Sequence, residues 1–578
     1  MQTKNCGFIE KLSKLKKSSS DSIDSILNFD EFREYMHVKR ATEIDLKSIL
    51  VKIASSDKKT LVLLCGSAGD GKSHLLSYLK HSDSDHLLDD YVVFNDATES
   101  NAPDKTAVET LCERLEDFND ENIDRHGKNA IIAINLGVLS NFIESEYAVG
   151  FGLLKQYVKE NNIMTSEVAP ITYHDDSSFQ HISFSDYHMF SLSKGKIVPE
   201  YIEALFEKVT SDDERNVFHA SYVSDCCNCP LRNQCPVRMN YEFLTDSRVR
   251  HYIALMLVRT ILSDKEILTT RELLNYIYDI IVSPTFNYSQ FYNDSIQPSS
   301  FLKAFLNNIL PSLLFDNVDI TSIMNKTRRY DPLLIRDENE DDLAIEYYVS
   351  DDISQTVKEI IGETVYAAVL CDPVYMRVIN EDRPIKSKLF NILIRIRDLL
   401  NGDGYGQLFE DYISNLYYYN IGTIKKLVTL YSDIDEAVKR WCGNESDDSI
   451  CIDDRHINYS IYEKVEFDPY LDDLPKPTNE DKIERFLPYI VVKYKNGNDA
   501  PIHLDIDHSL YELIEKLKAG YVQTAEDRND HADFISFIAK ILNTGSSNTS
   551  ITIVSAAGRK AKIEKTKFGT YKFEVIRK

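Results

Sequence analysis

The chain has 578 residues, of which 43% are hydrophobic and 27% charged, an ordinary balance for a folded globular protein. This length is more than one hydrophobic core sustains, so we expect several domains and do not expect general disorder. The 66 basic and 92 acidic residues give a net charge of −26. That charge excludes a general attraction to nucleic acid over the whole surface, so any contact with DNA must use a local basic patch or a partner protein.

The distribution of cysteines along the chain indicates whether the protein works in a reducing or an oxidising compartment. Of ten cysteines, four lie between positions 226 and 235. This clustering is not typical of a disulfide framework and favours a reducing environment. The first twenty residues lack the apolar core of a signal peptide, and no stretch of 18 or more predominantly apolar residues predicts a membrane span. We therefore expect a cytoplasmic protein without a membrane partner.

Changes in sequence texture predict five parts in chain order. They are an N-terminal helical segment (1–58), an α/β P-loop NTPase core with a parallel sheet (59–215), a cysteine-rich metal-binding insertion (216–245), a helical lid and helical domain (246–445), and an α+β C-terminal domain with a basic tail (446–578). The core is predicted from a continuous apolar run at 60–65 and further strand candidates at 91–95, 130–135 and 181–185, separated by helical stretches. Such alternation favours a mostly parallel sheet with strands buried on both faces.

The stretch GSAGDGKS, from Gly66 to Ser73, matches the pattern G-x-x-x-x-G-K-[ST] in full. It lies between the first predicted strand and a helical stretch, which is the context that a phosphate-binding loop requires. Glycines let backbone N–H groups surround phosphates, and the N-terminus of the helix adds its dipole. The predicted nucleotide-binding residues are Gly66, Ser67, Ala68, Gly69, Asp70, Gly71, Lys72, Ser73 and His74. We expect ATP as the nucleotide, Lys72 on its β- and γ-phosphates, and Ser73 as a ligand of Mg²⁺.

The other catalytic residues are predicted from the ends of later elements. No apolar run is followed by the Asp-Glu pair that commonly holds Mg²⁺ and activates water. Asp96 is predicted to hold Mg²⁺ with Glu99 as the base, and Asn135 to be a sensor that positions the attacking water. Alternatively, Asp96 caps the next element and Asn135 merely ends a strand. Arg271, near the start of a helix, is predicted to reach the γ-phosphate as a lid residue, or else faces solvent.

The cysteine cluster contains the spacing C-x-x-C-x5-C through Cys226, Cys229 and Cys235. Thiolates at this spacing suit Zn²⁺ or an iron–sulfur cluster, and zinc in a structural role is favoured. Cys227 or His219 is the candidate for a fourth ligand. The spacing is also similar to the cluster-holding segment of some iron–sulfur nucleases, whose nuclease residues are not evident in this sequence. The alternative is a reduced loop without metal.

The C-terminal tail, 558–578, carries eight basic and two acidic residues with aromatic residues between them. Basic and aromatic side chains on a hairpin are typical of a surface that binds a nucleic-acid backbone. The predicted nucleic-acid-binding residues are Arg559, Lys560, Lys562, Lys565, Lys567 and Lys572. Alternatively, the lysines only protect an exposed edge hairpin from aggregation. We find no nuclease motif in the sequence, so we expect any cutting of DNA to belong to a partner.

Several segments together resemble one family. They are GSAGDGKSHLL, FNDATES, AIIAINLGVLSNF, CNCPLRNQCPVRMNYEFL, LTTRELLNYIYDII, RYDPLLIRDENEDD, and LYYYN followed by Trp441-Cys442-Gly443. This combination is similar to the DptF (DndF) family, the P-loop subunits of bacterial phosphorothioation-dependent DNA restriction systems. The strand that ends in Asn135 and the cysteine cluster are more specific to this family than the loop, which many P-loop proteins share.

The resemblance implies an ATP-binding and ATP-hydrolysing role in antiviral defence. Such systems attack DNA that lacks a sulfur mark on its backbone, and this subunit acts with two partners, the G and H components. The partners implied are these two proteins and DNA, contacted directly or through them. A homo-oligomer is a separate expectation, left open by the sequence. The alternatives are a nucleotide-gated scaffold that does not hydrolyse ATP, and a STAND/AAA-like immune signalling NTPase without direct DNA contact.

Overall fold

The protein forms two compact units. The computed structural model describes residues 6–17, 30–82, 86–97, 105–164, 173–292, 296–316, 321–335, 338–402, 404–443, 449–453, 458–464, 468–475, 481–495, 500–544, 550–566 and 568–576. The first unit comprises Met1–Ser191, Pro199–Ile261 and Glu266–Tyr405, and the second comprises Leu192–Val198, Leu262–Lys265 and Gly406–Lys578. The five-part division drawn from the sequence stays a prediction.

The first unit contains a four-stranded, wholly parallel sheet. Its strands are β1 (Leu61–Cys65), β2 (Tyr91–Phe94), β3 (Asn129–Ile134) and β4 (Phe179–Ser183), in the spatial order β2-β3-β1-β4. β1 pairs in register with both neighbours, so that Leu61 lies opposite Ala130 on one side and Phe179 on the other. The predicted α/β core with a parallel sheet is confirmed.

Helices cover both faces of this sheet at its central strands, which explains the continuous apolar run of β1. Successive strand residues point to opposite faces. Leu61 and Leu63 pack into one core with Phe142, whereas Val62 and Leu64 pack into a second core on the other face. Since both faces are buried, every position of β1 must be apolar.

A large helical region follows the sheet, as predicted. The α-helices up to residue 401 are Gly7–Leu12, Lys14–Lys17, Glu31–Met36, Ala41–Ala54, Lys72–His81, Ala107–Arg114, Leu136–Glu144, Gly152–Glu160, Glu200–Thr210, Val217–Ser221, Pro236–Leu244, Ser247–Ser263, Thr270–Ile281, Pro298–Asn308, Leu310–Phe315, Ser322–Thr327, Glu338–Val349, Ser354–Ile361, Ala367–Leu370, Pro373–Glu381 and Arg383–Asn401. Shorter 3₁₀ segments are Glu116–Phe118, Glu146–Gly150, Phe184–Asp186, Tyr288–Gln290, Arg328–Tyr330 and Pro332–Leu334, and Tyr222–Cys226 is a π-helix.

A buried ion pair fixes part of the helical region. Arg395 is almost wholly buried and donates to Asp331 at 3.1 and 2.6 Å and to Asp316 at 2.9 and 2.8 Å. Two carboxylates therefore satisfy one buried guanidinium from two directions. Removing one partner of such a group leaves a charge in the core, which costs about 3–5 kcal/mol.

The second unit is antiparallel. Its strands are β5 (Ser191–Ser193, which begins at the end of the first unit), β6 (Lys196–Val198), β7 (Ser449–Asp453), β8 (Tyr459–Lys464), β9 (Asp468–Pro469), β10 (Ile490–Lys495), β11 (Ile502–Ile506), β12 (Ser550–Ser555), β13 (Lys560–Lys565) and β14 (Tyr571–Ile576). They form a β5-β6 pair and sheets in the orders β11-β10-β9 and β14-β13-β12-β8-β7. Its helices are Gln407–Asn420, Ile424–Cys442, His508–Lys518, Ala525–Asp530 and Ala532–Thr544.

Among the described residues, no helix has the length and apolar character that crossing a membrane demands.

Candidate functional site

The Gly66–Ser73 loop connects β1 to the helix Lys72–His81. The N–H of Gly66 donates to the carbonyl of Ile134 at 3.2 Å and so anchors the loop to the end of β3. Gly69 and Gly71 have φ values of +93° and +97°, a left-handed conformation that side chains disfavour. A side chain at Gly66 would meet the Cβ atom of Phe184 at 2.9 Å. The spacing of glycines in the sequence is therefore what this backbone path requires.

Two charged side chains of the loop lie inside it. The Lys72 ammonium donates to the carbonyls of Gly66 and Ser67 at 3.0 and 2.6 Å. The Asp70 carboxylate accepts from the N–H of Ser67 at 2.5 Å. Burial lowers the pKa of Lys72 and raises the pKa of Asp70, and each charge opposes the shift of the other. Lys72 and Asp70 thus hold the loop closed on itself.

The end of β2 contacts the loop through Ser73. The Ser73 hydroxyl donates to the main-chain carbonyl of Asn95 at 3.0 Å. The next residue, Asp96, lies close enough to Lys72 for its charge to raise the pKa of that ammonium, and its carbonyl accepts from the guanidinium of Arg114. The predicted residues Lys72, Ser73 and Asp96 are therefore brought together. The buried side-chain amide of Asn95 has no hydrogen-bond partner within the described part of the chain.

Asn135 follows β3, which lies between β1 and β2 in the sheet. Its side-chain oxygen accepts from the N–H of Gly137 at 2.8 Å and caps the helix Leu136–Glu144. This is a structural role that the sequence did not predict, and the sensor role of Asn135 stays a prediction. Glu99, the predicted base, lies outside the described residues.

Arg271 lies against the loop. Its N–H donates to the carbonyl of Gly69 at 3.4 Å. A side chain at Gly69 would approach the Thr269 hydroxyl at 3.1 Å and the Cβ atom of Arg271 at 3.2 Å. Thr269 and Glu272 form a capping box at the start of the helix Thr270–Ile281, which directs the N-terminus of this helix to the same place. The position agrees with a lid residue, and that role stays a prediction.

Arg40 is a second arginine near the loop that the sequence did not mark. Its guanidinium lies 4.7 Å from the ring centre of Tyr201 and 5.6 Å from that of Phe184, and it donates to the carbonyl of Tyr187 at 3.2 Å. Its charge also acts to lower the pKa of Asp70. A single arginine before a helix carries no motif, so only the fold reveals this position.

The His74 side chain packs beside the loop helix. Its Nε2 lies 3.2 Å from Nδ1 of His37, and the other nitrogen of His37 lies 3.0 Å from the Glu43 carboxylate. His37 also stacks on Tyr78 with ring centres 3.5 Å apart. Burial lowers the pKa of His74 to about 4. The side chain is therefore neutral at pH 7 and would bring no positive charge to a bound phosphate.

The cysteine cluster gathers one residue from far along the chain. A cavity of about 200 Å³ is lined by the thiol-bearing residues Cys6, Cys226, Cys229 and Cys235. The two candidates for a fourth ligand, Cys227 and His219, are described residues that do not line this cavity, and Cys227 is exposed. Sequence analysis missed Cys6 because 220 positions separate it from Cys226. Across the described ranges, no group of three or more His, Cys, Asp or Glu side chains already has the arrangement of a metal-ion site.

The basic tail forms the hairpin of β13 and β14. Lys562 lies opposite Glu574, and Glu564 lies opposite Lys572. Since paired residues share one face, these lysines are matched with acids there. By strand alternation, the aromatic residues Tyr571 and Phe573 lie on the other face. Of the remaining predicted DNA contacts, Arg559 and Lys560 begin the hairpin, Lys565 ends β13, and Lys567 lies outside the described residues.

No protein-family model, no curated protein and no solved structure matches this chain.

Proposed function

We propose that this chain is a P-loop NTPase that binds ATP with Mg²⁺ in the Gly66–Ser73 loop and hydrolyses it within a DNA restriction complex. The observation that carries nucleotide binding is the hydrogen bond from Ser73 to Asn95. It brings the hydroxyl expected to ligate Mg²⁺ to the end of the strand that precedes Asp96. Hydroxyl and carboxylate oxygens are donors that suit Mg²⁺.

The residues around the loop fit the charge of a nucleotide. Lys72 is the partner for the β- and γ-phosphates, and Arg40 and Arg271 add positive charge from two neighbouring elements. Ser73 and Asp96 would hold Mg²⁺, and the unpartnered amide of Asn95 beside them offers both a donor and an acceptor for a bound group. When bound, Mg²⁺ would neutralise phosphate charge that develops during transfer.

Nucleotide binding requires two internal contacts of the loop to open. Lys72 must leave the carbonyls of Gly66 and Ser67, and the Asp70 carboxylate must release the N–H of Ser67. Breaking one such hydrogen bond costs about 1 kcal/mol, after the groups regain hydrogen bonds to water. The contacts that open already involve ionised groups, but a phosphate offers Lys72 an opposite charge where the carbonyls offer only a dipole, so the exchange favours the bound nucleotide.

Whether the chain hydrolyses ATP depends on the residue that activates water. Ala97 follows Asp96 directly, at the position where many NTPases carry a glutamate. This feature favours a second candidate function, a nucleotide-gated scaffold that binds ATP without turnover. The test is ATP hydrolysis by the wild type and Lys72→Ala, with and without DNA. Turnover that depends on Lys72 supports the enzyme, whereas ATP binding without turnover in every condition supports the scaffold.

Membership of a restriction complex with partners of the G and H type rests on the resemblance to the DptF family. The net charge of −26 and the pairing of lysines with glutamates on the C-terminal hairpin favour contact with DNA through these partners. The test compares stimulation of ATP turnover by DNA alone, by partners alone and by both. Stimulation that requires neither would instead favour an immune signalling NTPase.

A further inference from the structure

We propose that Cys6, Cys226, Cys229 and Cys235 together hold an iron–sulfur cluster in the cavity that they line. This site is separate from the nucleotide loop and does not depend on the function proposed for that loop. Its fourth ligand comes from the N-terminal segment. Four thiols are the ligand set that both common types of iron–sulfur cluster use.

Packing brings Cys6 to the cavity across a long stretch of sequence. Cys6 directly precedes the helix Gly7–Leu12, and its carbonyl accepts from the N–H of Glu10 at 3.0 Å. Phe8 is buried with its ring centre 5.2 Å from that of Tyr241 and 6.0 Å from that of Tyr222, in edge-to-face contacts. Such aromatic pairs are worth about 1 kcal/mol beyond their burial. The position of Cys6 is therefore fixed by its neighbour in sequence.

Further contacts hold the same N-terminal segment in place. Leu12 and Leu15 are fully buried, and the Lys16 ammonium lies 2.6 Å from the carboxylate of Asp279. At Gly7, an added Cβ atom would meet the Asp225 carboxylate at 2.8 Å, so the backbone beside Cys6 approaches the cysteine-rich segment as closely as glycine permits. These contacts thus hold the thiol of Cys6 at the cavity.

The other three thiols come from one compact segment. Cys226 ends the π-helix Tyr222–Cys226, an irregular element that often marks functional sites. The N–H of Cys229 donates to the carbonyl of Cys226 at 3.3 Å, which closes a tight turn between these two cysteines. Cys235 caps the helix Pro236–Leu244, so its thiol returns to the cavity at the start of a rigid element.

The cavity favours a cluster over a single zinc ion. Four thiolates at about 2.3 Å from one Zn²⁺ converge on a point and leave no space between them. Here the four cysteines, with ten other residues, line an open cavity of about 200 Å³. An iron–sulfur cluster brings inorganic sulfide as well as iron and fills such a space. The rest of the lining mixes apolar side chains such as Phe286 with two cations, Arg232 and Arg238, and one acid, Asp225, so the cations outnumber the acid beside a negatively charged cluster.

A second group supports one of the ligands. Tyr288 also lines the cavity. Burial raises the pKa of its hydroxyl, and Cys229 lies close enough for its thiol to raise that pKa further. Hydrogen bonds to cluster sulfurs tune reduction potential and orient the ligands.

The cluster would join the N-terminal segment to the helical region. Lys16 of that segment contacts Asp279 of the helix Thr270–Ile281, whose opposite end lies at Gly69 of the loop.

The test uses the full chain, produced with iron available and purified without oxygen. Iron, acid-labile sulfide and zinc are measured per chain, together with the visible absorption spectrum, for the wild type, Cys6→Ser, Cys229→Ser and Cys227→Ser. We expect iron and sulfide in equal amounts, about two or four of each per chain, in the wild type and in Cys227→Ser. We expect at least a tenfold loss in Cys6→Ser and Cys229→Ser.

A second measurement on the wild type alone covers the case in which a variant fails to fold. Thiol alkylation followed by peptide mapping should label Cys227 at once, and should label the four proposed ligand cysteines only after the cluster is destroyed by oxidation. One zinc per chain without sulfide would overturn the cluster. A full iron and sulfide content in Cys6→Ser, or immediate labelling of Cys6 in the loaded wild type, would overturn the assignment of the fourth ligand.

Discussion

The hydroxyl of Ser73 donates to the main-chain carbonyl of Asn95 at 3.0 Å. These residues follow β1 and β2, which are not neighbours, because β3 lies between them in the sheet. The bond therefore links the Gly66–Ser73 loop to the carboxyl end of a strand two positions away. Ligands of parallel sheets bind at the carboxyl ends of the strands, and this link is where we expect Mg²⁺ to lie.

Substitution of the expected magnesium ligands should lower ATP turnover. In Ser73→Ala and in Asp96→Asn we expect turnover to fall at least about 100-fold, since each change removes an oxygen from the phosphate-transfer site. Nucleotide binding measured without Mg²⁺ should change little. Ser82→Ala and Asp89→Asn are matched controls on exposed parts of the neighbouring elements. Turnover near the wild-type rate in Asp96→Asn would show that another residue holds the metal.

Loss of Arg271 should affect hydrolysis more than binding. Its backbone already lies at Gly69, so its side chain needs only a local movement to reach a γ-phosphate. We expect Arg271→Ala to lower turnover about 1,000-fold, the lower end of the range for an arginine that stabilises phosphoryl transfer. Affinity for ATP should change less than about tenfold. Arg248→Ala, at an exposed position on the preceding helix, is the control. Equal losses in both variants would indicate a general effect on the helical region.

The buried pair of His74 and His37 should make stability depend on pH. The pKa of His74 falls from 6.5 to about 4 on folding, so the unfolded chain binds more protons between these values. The free energy of unfolding should therefore decrease as pH falls from 6.5 to about 4. In His74→Gln this slope should be shallower by about one proton, measured by chemical denaturation at several pH values. His126→Gln, at an exposed position, should keep the wild-type slope, and an unchanged slope in His74→Gln would contradict the assignment.

The ion pair of Arg395 should be among the most sensitive contacts of the helical region. Arg395→Met leaves Asp331 and Asp316 without their shared cation, and we expect a loss of about 3–5 kcal/mol in the free energy of unfolding. Arg377→Met removes an exposed pair with Glu381 and should cost less than about 1 kcal/mol. Denaturant unfolding of the two variants checks this difference. Asp316 is exposed and keeps its pair with Lys388, so a loss below about 1 kcal/mol in Arg395→Met would mean that the buried Asp331 is otherwise satisfied.

Local pattern was enough to predict the parallel sheet and the path of the loop. Apolar runs predicted β1 and β3, which are buried on both faces, and β2, whose side chains are partly exposed. The prediction for the fourth strand, 181–185, began two residues late because β4 mixes polar and apolar residues. The glycines of 66–71 stand where the backbone needs positive φ values. The capping role of Asn135 was not predicted, because an asparagine after a strand fits either a cap or a sensor. Arg40 and Cys6 were also missed. Each reaches its site through tertiary packing, Arg40 against Tyr201 and Cys6 through Phe8, and such packing leaves no periodic trace in sequence.

The most direct test of nucleotide binding is calorimetric titration of ATP with Mg²⁺ into the wild type, Lys72→Ala and Lys80→Ala. Lys72 lies within the loop, whereas Lys80 is an exposed lysine of the same helix and carries the same charge. We expect one ATP per chain for the wild type and Lys80→Ala, and an affinity at least about 100-fold lower for Lys72→Ala, since one charge-assisted phosphate contact is worth about 3 kcal/mol. Equal affinity in all three proteins, or no binding to the wild type, would contradict a nucleotide site in this loop.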